Sequence, residues 1–247
     1  MSEIFALHNI SVSYTRVATE NTAKVPVLRN VNLALHEGDH VGLYGPNGCG
    51  KTTLFRCITG LVRPTGGEIV FAGRPCTGEA DFVRLRQQVG FALQHADDQL
   101  FFPTVLEDVA FGPLNLGLSL EAARERALES LEQLDVTAFA PRLVHQLSAG
   151  EKRLVALAGI LAMRPRALLL DEPTTGLDPA ATARLTKVLR SLPCARITVS
   201  HDWDFVQATS DSFYTISDCQ LVPLAPGCVH THTHVHPLGD TKHEHWA

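Results

Sequence analysis

The sequence has no excess of positive charge. Its 21 lysine and arginine residues are outnumbered by 26 aspartate and glutamate residues, which gives a formal net charge of −5. A protein that binds nucleic acid through the phosphates needs a basic face. The composition therefore argues against a nucleic-acid-binding protein, and we expect no nucleic-acid partner.

The sequence also lacks paired cysteines and long apolar runs. Its six cysteines are scattered and form no CxxC motif, which favours reduced thiols in a cytosolic protein over a disulfide framework. The longest apolar stretch, 154–163, is too short to span a bilayer. The start, MSEIFALHNI, lacks the basic residues and apolar core of a signal peptide. We therefore expect a soluble cytosolic protein.

What the chain does contain is an alternation of strands and helices. Its 247 residues and 45% apolar content support one large domain with a full core. A buried strand, a glycine-rich turn and a helix beginning near Gly50 are predicted from HVGLYGPNGCGKTTLFRCI. Parallel sheets typically bury short apolar runs such as ALLLDEP and ARITVSH. Together these segments predict an α/β fold with a parallel sheet.

The segment from about 95 to 165 is predicted to be mainly helical and to interrupt this sheet. Its clearest helix is SLEAARERALESLEQL, whose apolar residues recur at helical spacing: Leu120, Ala123, Ala127, Leu131 and Leu134. Pro223, Pro226 and Gly227 follow the last apolar run. We therefore expect one domain over residues 1–225 and a flexible, histidine-rich tail over 226–247.

The motif GPNGCGKTT fits the pattern G-x-x-x-x-G-K-[ST]. Glycines at these positions let backbone N–H groups surround a phosphate, and the helix behind adds its positive end. Lys51 can reach the β- and γ-phosphates, and the Thr52 hydroxyl can ligate Mg²⁺. The alternative is an ordinary strand-to-helix turn, which also favours glycine. The predicted phosphate-binding residues are Gly45, Pro46, Asn47, Gly48, Cys49, Gly50, Lys51, Thr52 and Thr53.

Two acidic residues end the apolar strand in RALLLDEPTTGLD. Ligands bind at the carboxyl edge of such sheets. Asp171 can hold Mg²⁺ there, and Glu172 can orient and deprotonate an attacking water. The alternative is a strand end with two solvated acids, which a phosphate loop in the same chain makes a poor explanation.

The segment LSAGEKR allows two interpretations. Ser148 and Glu151 satisfy S-x-x-E, so a capping box at the start of an apolar helix explains them without any function. A serine hydroxyl and free N–H groups at a helix start also form an anion site. Taken alone, this segment favours the cap.

In their order along the chain, these motifs resemble those of an ABC-type ATPase. The resemblance runs from residue 4 to about 224 and rests on the phosphate loop, LSAGE, LLLDEP and GLD at 176–178, with Gln94 and His201 in the expected places. It departs from the family in having Ala149 where a first glycine usually follows Ser148. The resemblance implies a RecA-like P-loop core with an inserted helical subdomain and N-terminal antiparallel strands, and it implies ATP and Mg²⁺ as ligands.

The resemblance also implies roles for single residues. Tyr14 stacks on adenine, although an aromatic residue in a strand usually just packs. Gln94 joins the Mg²⁺ and water site to a membrane partner, and His201 contacts the γ-phosphate. Family members pair two ATPase subunits head to tail, so Ser148 with Gly150 completes the site of the second subunit, and Asp178 crosses the interface. The catalytic group is then Glu172, His201, Gln94 and Lys51, and Mg²⁺ is held at Thr52, Gln94 and Asp171.

Residues 96–119, ADDQLFFPTVLEDVAFGPLNLGLS, resemble the ATPase subunits of energy-coupling-factor importers, especially the cobalt/nickel branch. In that family the segment equivalent to Asp97–Leu100 docks on the transmembrane coupling protein. The resemblance therefore implies a peripheral protein at the cytoplasmic face of the cell membrane, bound to transmembrane coupling and substrate-binding subunits. The connection 13–28 is longer than in other family members.

The histidine-rich tail has alternating imidazoles at His230, His232, His234 and His236. Neutral imidazole is the usual ligand for Ni²⁺, Co²⁺ and Zn²⁺. In an extended chain these side chains project from one face, and in a helical turn they form i, i+4 pairs. We therefore expect the tail to bind a transition metal, and nickel or cobalt is our preferred cargo. The alternative is a polar tail without a ligand.

Three other functions stay open from the sequence. The importer could carry a vitamin or another substrate, because the family selects substrates in separate membrane subunits. A soluble, non-transport ABC ATPase is a second alternative, but such proteins carry coiled-coil insertions or two ATPase sets, and this chain has one set and no sustained heptads. A metal sensor that acts through its tail is the third.

Overall fold

The structure is a computed structural model that describes residues 2–18 and 21–224. Its strands are β1 (Glu3–Ala18), β2 (Asn21–His36), β3 (His40–Leu43), β4 (Gly66–Phe71), β5 (Arg74–Pro75), β6 (Val89–Ala92), β7 (Ala167–Asp171), β8 (Ala195–Val199), β9 (Ser212–Ser217) and β10 (Gln220–Pro223). Its α-helices are α1 (Lys51–Ile58), α2 (Glu79–Arg86), α3 (Val105–Asn115), α4 (Leu120–Gln133), α5 (Ala149–Ala162), α6 (Pro179–Ser191) and α7 (Trp203–Thr209).

The larger sheet has six strands in the order β10-β9-β3-β8-β7-β6. All neighbours are parallel except β10, which pairs antiparallel with β9 at the edge. Every residue of β7 and β8 is buried, as expected for strands covered on both faces. The predicted α/β fold is confirmed. Because parallel strands end at one edge, the residues that follow β3, β6, β7 and β8 become neighbours there.

A second sheet is antiparallel and has four strands in the order β2-β1-β4-β5. It contains the predicted N-terminal antiparallel strands. Residues 13–18 and 21–28, treated above as part of a connection, belong instead to two strands of 16 residues each, which pair from Glu3 with His36 to Ala18 with Asn21. Beyond Ser11 this hairpin has no further pairing with β4, so its outer half is two-stranded within the described residues.

Alternate residues of β7 face two apolar clusters. Leu169 faces the cluster between the two sheets, whereas Leu168 and Leu170 face the cluster that contains α3, α4 and α5. These three helices lie between β6 and β7 in sequence, so the predicted helical segment is present. The side chains of β7 thus belong to both apolar clusters, one on each face of the strand.

The predicted helix after residue 119 is confirmed as α4, with one exception in its apolar face. Ala123, Ala127 and Leu131 are buried, but Leu120, expected on the same face, is exposed. Leu120 is the first residue of α4, and it lies outside the apolar cluster that buries the later residues of this face. No helix within residues 2–18 and 21–224 is long and apolar enough to cross a bilayer. The tail 226–247 lies outside the described residues, so its boundary stays a prediction.

Candidate active site

The glycine-rich loop joins β3 to α1 at the carboxyl edge of the large sheet. Gly48 and Gly50 have φ values of 82° and 113°, in the region that favours glycine. Lys51 is almost fully buried, and its Nζ donates to the carbonyl oxygens of Gly45 at 2.6 Å and Pro46 at 2.8 Å. The ammonium group therefore lies inside the loop, where the sequence predicts phosphate.

The N-terminal hairpin packs against this loop. A Cβ atom on Gly50 would lie 3.1 Å from Val27 Cγ1 and 3.2 Å from the Val27 carbonyl oxygen, so β2 would have to shift slightly to admit one, and the φ of 113° also favours glycine. On β1, Tyr14 is 42% exposed, and its hydroxyl lies 3.4 Å from Thr53 Oγ1. Tyr14 thus lies beside the loop with a free ring surface rather than in the core, which is compatible with the predicted adenine contact.

Thr52 and Asp171 meet at the end of β7. The Thr52 hydroxyl donates to Asp171 Oδ2 at 2.7 Å, across 119 residues of sequence. Burial raises the pKa of Asp171 above its ordinary value, and the Thr52 hydrogen bond opposes this shift. A hydroxyl beside a buried carboxylate is a set of hard oxygen donors, which Mg²⁺ prefers. The residues therefore fit the predicted ion, although no magnesium geometry is described.

Glu172 follows Asp171 in a left-handed backbone conformation, with φ of 51°. Its side chain is 5% exposed. Oε2 lies 2.8 Å from His201 Nδ1 and accepts from Ser200 Oγ at 3.3 Å. Among residues 2–18 and 21–224, no donor reaches the buried Oε1 atom. The carboxylate is thus oriented through one oxygen, and the other is left as an acceptor.

His201 reaches Glu172 from the loop that follows β8. Its ring is largely exposed, and the contact of Nδ1 with the carboxylate leaves Nε2 as the other polar atom. The structure thus brings Thr52 to Asp171 and His201 to Glu172 at the sheet edge where Lys51 also lies, and the catalytic roles of these residues stay predictions.

Gln94 lies at the same edge of the large sheet, but it is hydrogen-bonded through its backbone carbonyl rather than through its side chain. Its side chain is exposed, and in the described part of the chain it donates to neither Asp171 nor Glu172. Its carbonyl oxygen accepts from Arg153 Nη2 at 2.6 Å, and Arg153 Nη1 donates to the carbonyl oxygen of Glu172. Sequence reasoning missed Arg153, because an arginine early in an amphipathic helix normally faces solvent.

Ser148 forms the predicted capping box at the start of α5. Its hydroxyl accepts from Glu151 N at 3.3 Å, and its own N–H donates to Glu151 Oε2 at 2.7 Å. Ser148 is exposed, and among the described residues it has no hydrogen bond to the phosphate loop. Ala149, which stands where the family usually has glycine, is also exposed.

Gly150 and Asp178 have local contacts of their own. A Cβ atom on Gly150 would lie 2.9 Å from the Gly176 carbonyl oxygen, so the start of α5 presses on the loop after β7. Asp178 Oδ1 caps α6 by accepting from Ala181 N at 2.7 Å. Among the described residues, neither Gly150 nor Asp178 is hydrogen-bonded to the phosphate loop.

The segment Asp97–Leu100 is partly exposed and is held by two side-chain hydrogen bonds and an ion pair. Gln99 accepts from Leu93 N at 2.8 Å and donates to the Phe91 carbonyl oxygen at 3.0 Å, and Asp97 pairs with Lys152 at 2.6 Å. The adjoining Phe101 is 72% exposed.

No group of three or more His, Cys, Asp or Glu side chains that could hold a metal ion occurs in residues 2–18 and 21–224. The predicted tail ligands, His230, His232, His234 and His236, lie outside these residues.

Comparison with protein families finds a match to the ABC transporter model over residues 28–175. A curated relative, the energy-coupling factor transporter ATP-binding protein EcfA of Methanothermobacter thermautotrophicus, is 43% identical over 201 residues, which cover 80% of this chain and 65% of that protein. The chain thus spans slightly less than two thirds of that relative.

Solved structures with the same fold are also similar in sequence. CbiO1 of Clostridium perfringens, described as part of the ABC transporter complex cbiONQ, has a TM-score of 0.77 and 30% identity, over 90% of this chain and 88% of that chain. A dimeric ATP-binding cassette in a post-hydrolysis state, bound to ADP and Pi, has a TM-score of 0.79 and 28% identity, over 88% of this chain and 96% of that chain.

Proposed function

The chain belongs to the ABC transporter family as an ATP-hydrolysing subunit, and we propose that it drives a membrane importer of the energy-coupling-factor type. The observation that carries the hydrolytic role is the Glu172 carboxylate, which is held through Oε2 and whose Oε1 has no hydrogen-bond donor among the described residues. The importer type rests on the similarity to EcfA and on the resemblance of residues 96–119.

Each residue of the site has a separate task in this proposal. The loop N–H groups and Lys51 bind the phosphates, Tyr14 supports the base, and His201 contacts the γ-phosphate while it orients Glu172. Oε1 of Glu172 accepts a proton from the attacking water. When bound at Thr52, Asp171 and Gln94, Mg²⁺ supplies positive charge that stabilises the phosphate oxygens.

The active unit in this proposal contains two ATPase subunits. Ser148 and Gly150 lie at an exposed helix start that has no hydrogen bond to the phosphate loop of its own chain in the described residues, so they are available to a nucleotide held by a second subunit. The similarity to a dimeric cassette with ADP and Pi supports this arrangement. The family resemblance implies that Asp178 crosses the same interface. The second subunit is either another copy of this chain or a paralogue. Ultracentrifugation of the Glu172→Gln variant with and without MgATP distinguishes the two: a dimer that forms with MgATP supports two copies, and a monomer under both conditions would contradict the pairing of two copies and favour the paralogue.

The importer requires integral membrane partners, and we assign their docking to Asp97–Leu100 with the exposed Phe101. In this proposal the subunit lies at the cytoplasmic face of the cell membrane. The test is to purify the tagged chain from native membranes in mild detergent and to identify the proteins that accompany it. Recovery of a coupling subunit supports the importer. Recovery of the chain alone from the soluble fraction supports the non-transport alternative.

We propose nickel or cobalt as the cargo. Support comes from the similarity to CbiO1 of the cbiONQ complex and from the histidine-rich tail. Uptake of radioactive Ni²⁺ and Co²⁺ into cells, compared with cells that carry the Glu172→Gln chain, tests this cargo. Equal uptake of both ions in the two strains would point to a vitamin or another substrate. That result would not contradict the ATPase activity of the chain.

We also propose that the tail binds a transition ion through His230, His232, His234 and His236, with Cys228, His243 and His245 available to complete the site. Calorimetry with Ni²⁺, Co²⁺ and Zn²⁺ on the full chain and on a chain ending at residue 227 tests this. We expect binding only by the full chain, weaker below the imidazole pKa of about 6.5. Equal binding by both chains would contradict it. ATPase activity should survive the truncation.

A further inference from the structure

Arg153 joins two parts of the active site that are distant in sequence. It lies on α5, is half-buried, and directs its guanidinium group at the carboxyl ends of β6 and β7. Nη2 donates to the Gln94 carbonyl oxygen at 2.6 Å, and Nη1 donates to the Glu172 carbonyl oxygen at 2.5 Å. These two acceptors are 59 and 19 residues away from Arg153 along the chain. A planar guanidinium can hold both carbonyls at once, whereas a single ammonium cannot do so with the same geometry.

The Glu172 backbone needs such support. Its φ of 51° lies in the left-handed region, which disfavours residues with a side chain. The Glu172 N–H donates to the Val199 carbonyl oxygen at 2.9 Å, and its own carbonyl accepts from Thr175 N at 3.2 Å as well as from Arg153. The backbone sets the direction of the Cα–Cβ bond, so these bonds fix the position from which the Glu172 side chain reaches Ser200 and His201.

The position of the Gln94 backbone depends on Arg153 more strongly than the position of the Glu172 backbone does. Within the described ranges, the Gln94 carbonyl oxygen has the guanidinium of Arg153 as its hydrogen-bond donor. Burial lowers the pKa of Arg153, and the nearby Glu172 and Asp171 carboxylates oppose that shift. The group remains charged, since arginine titrates far above neutral pH. A charged fork thus links the loop after β6 to the loop after β7.

We propose that Arg153 is a positioning residue for ATP hydrolysis: it fixes the Glu172 backbone and the Gln94 loop relative to each other. In the described part of the chain its side-chain hydrogen bonds go to these two main-chain carbonyls and not to the nucleotide loop or the Glu172 carboxylate, so it acts through the placement of these groups. The inference rests on the hydrolytic role of Glu172 proposed above. Ser148 lies about 7.5 Å away from Arg153 along the axis of α5. The helix therefore connects Ser148, which is proposed to face the second subunit, rigidly to the Arg153 hydrogen bonds.

The test compares steady-state kinetics of Arg153→Met, Arg153→Lys and a control, Arg164→Met. Arg164 pairs with Glu129 on the surface at 2.8 Å, so the control makes the same chemical change away from the site. We expect kcat of Arg153→Met to fall about 10- to 100-fold, with KM for MgATP within about twofold of wild type. Arg153→Lys should recover part of the loss, and the control should match wild type. A normal kcat in Arg153→Met, or a loss of kcat that is matched by loss of nucleotide binding, would overturn the positioning role.

A double variant separates positioning from general stability. A residue that acts through Glu172 has little left to affect once that carboxylate is gone, so Arg153→Met should lower the residual rate of Glu172→Gln by less than about threefold. A further loss as large as in the wild-type background would contradict the proposal. Wild-type turnover in the same assay checks the hydrolytic function separately, so a normal Arg153→Met variant overturns the positioning role alone.

Discussion

Replacement of Glu172 by glutamine is the most direct test of the site. The substitution preserves size and shape but turns one carboxylate oxygen into an NH₂ group. Three donors converge on Oε2, namely His201 Nδ1 at 2.8 Å, Ser200 Oγ at 3.3 Å and His201 N at 3.4 Å, so the amide oxygen of glutamine takes this position. The NH₂ group then replaces Oε1, which is the atom proposed to accept the proton.

The expected loss follows from this exchange. General base catalysis contributes about 10²- to 10⁴-fold, so kcat of Glu172→Gln should fall by at least about 10², or about 2.7 kcal/mol in activation free energy. Nucleotide affinity should be unchanged, because Lys51, Thr52 and the loop backbone keep their positions. The melting temperature should stay equal or rise, since the variant removes a buried charge that has an unpartnered oxygen in the described residues.

The assay is phosphate release at saturating MgATP, with nucleotide affinity measured separately by calorimetry. Glu129→Gln is the matched control, because Glu129 is exposed and pairs only with Arg164 among the described residues. Turnover of Glu172→Gln within about threefold of wild type would refute the base assignment. A large loss in the control as well would show that the assay responds to folding rather than to chemistry.

Three further predictions concern the same loop and sheet edge. Lys51→Ala should weaken nucleotide binding itself, because it removes the ammonium group inside the loop; unchanged affinity by calorimetry would contradict this. A thiol reagent should inactivate the enzyme at Cys49, whose Sγ lies 4.0 Å from Lys51 Nζ, and MgATP should protect; sensitivity that persists in Cys49→Ser would be the contrary result. Cys57 should not react, because burial raises its pKa to about 11. Asp171→Asn should abolish Mg²⁺-dependent turnover but raise the nucleotide-free melting temperature at pH 7. Because the folded protein raises the pKa of the Asp171 carboxyl group, ionisation of this group costs stability as the pH rises, and the difference in melting temperature between variant and wild type should vanish below the ordinary carboxyl pKa of 3.8. A lower melting temperature of the variant at pH 7 would contradict this.

Much of the fold and of the nucleotide site follows from local sequence. The turn from β3 to α1 is predictable because Gly48 and Gly50 occupy backbone conformations that other residues avoid. The apolar run before Asp171 identifies a strand buried on both faces. The capping box at Ser148 follows from spacing within one helical turn. In each case the residues that determine the structure are neighbours along the chain.

The remaining features depend on contacts between distant segments. The length of the β1–β2 hairpin depends on pairing between two strands, and polar residues such as those in 13–28 give no apolar period that would reveal it. Leu120 has helical spacing but is exposed, because burial depends on where the core lies. Arg153 could not be assigned from sequence, since a lone arginine has no pattern that names its acceptors. Only the packing of α5 against the ends of β6 and β7 brings its guanidinium to the carbonyl oxygens of Gln94 and Glu172, which follow those two strands.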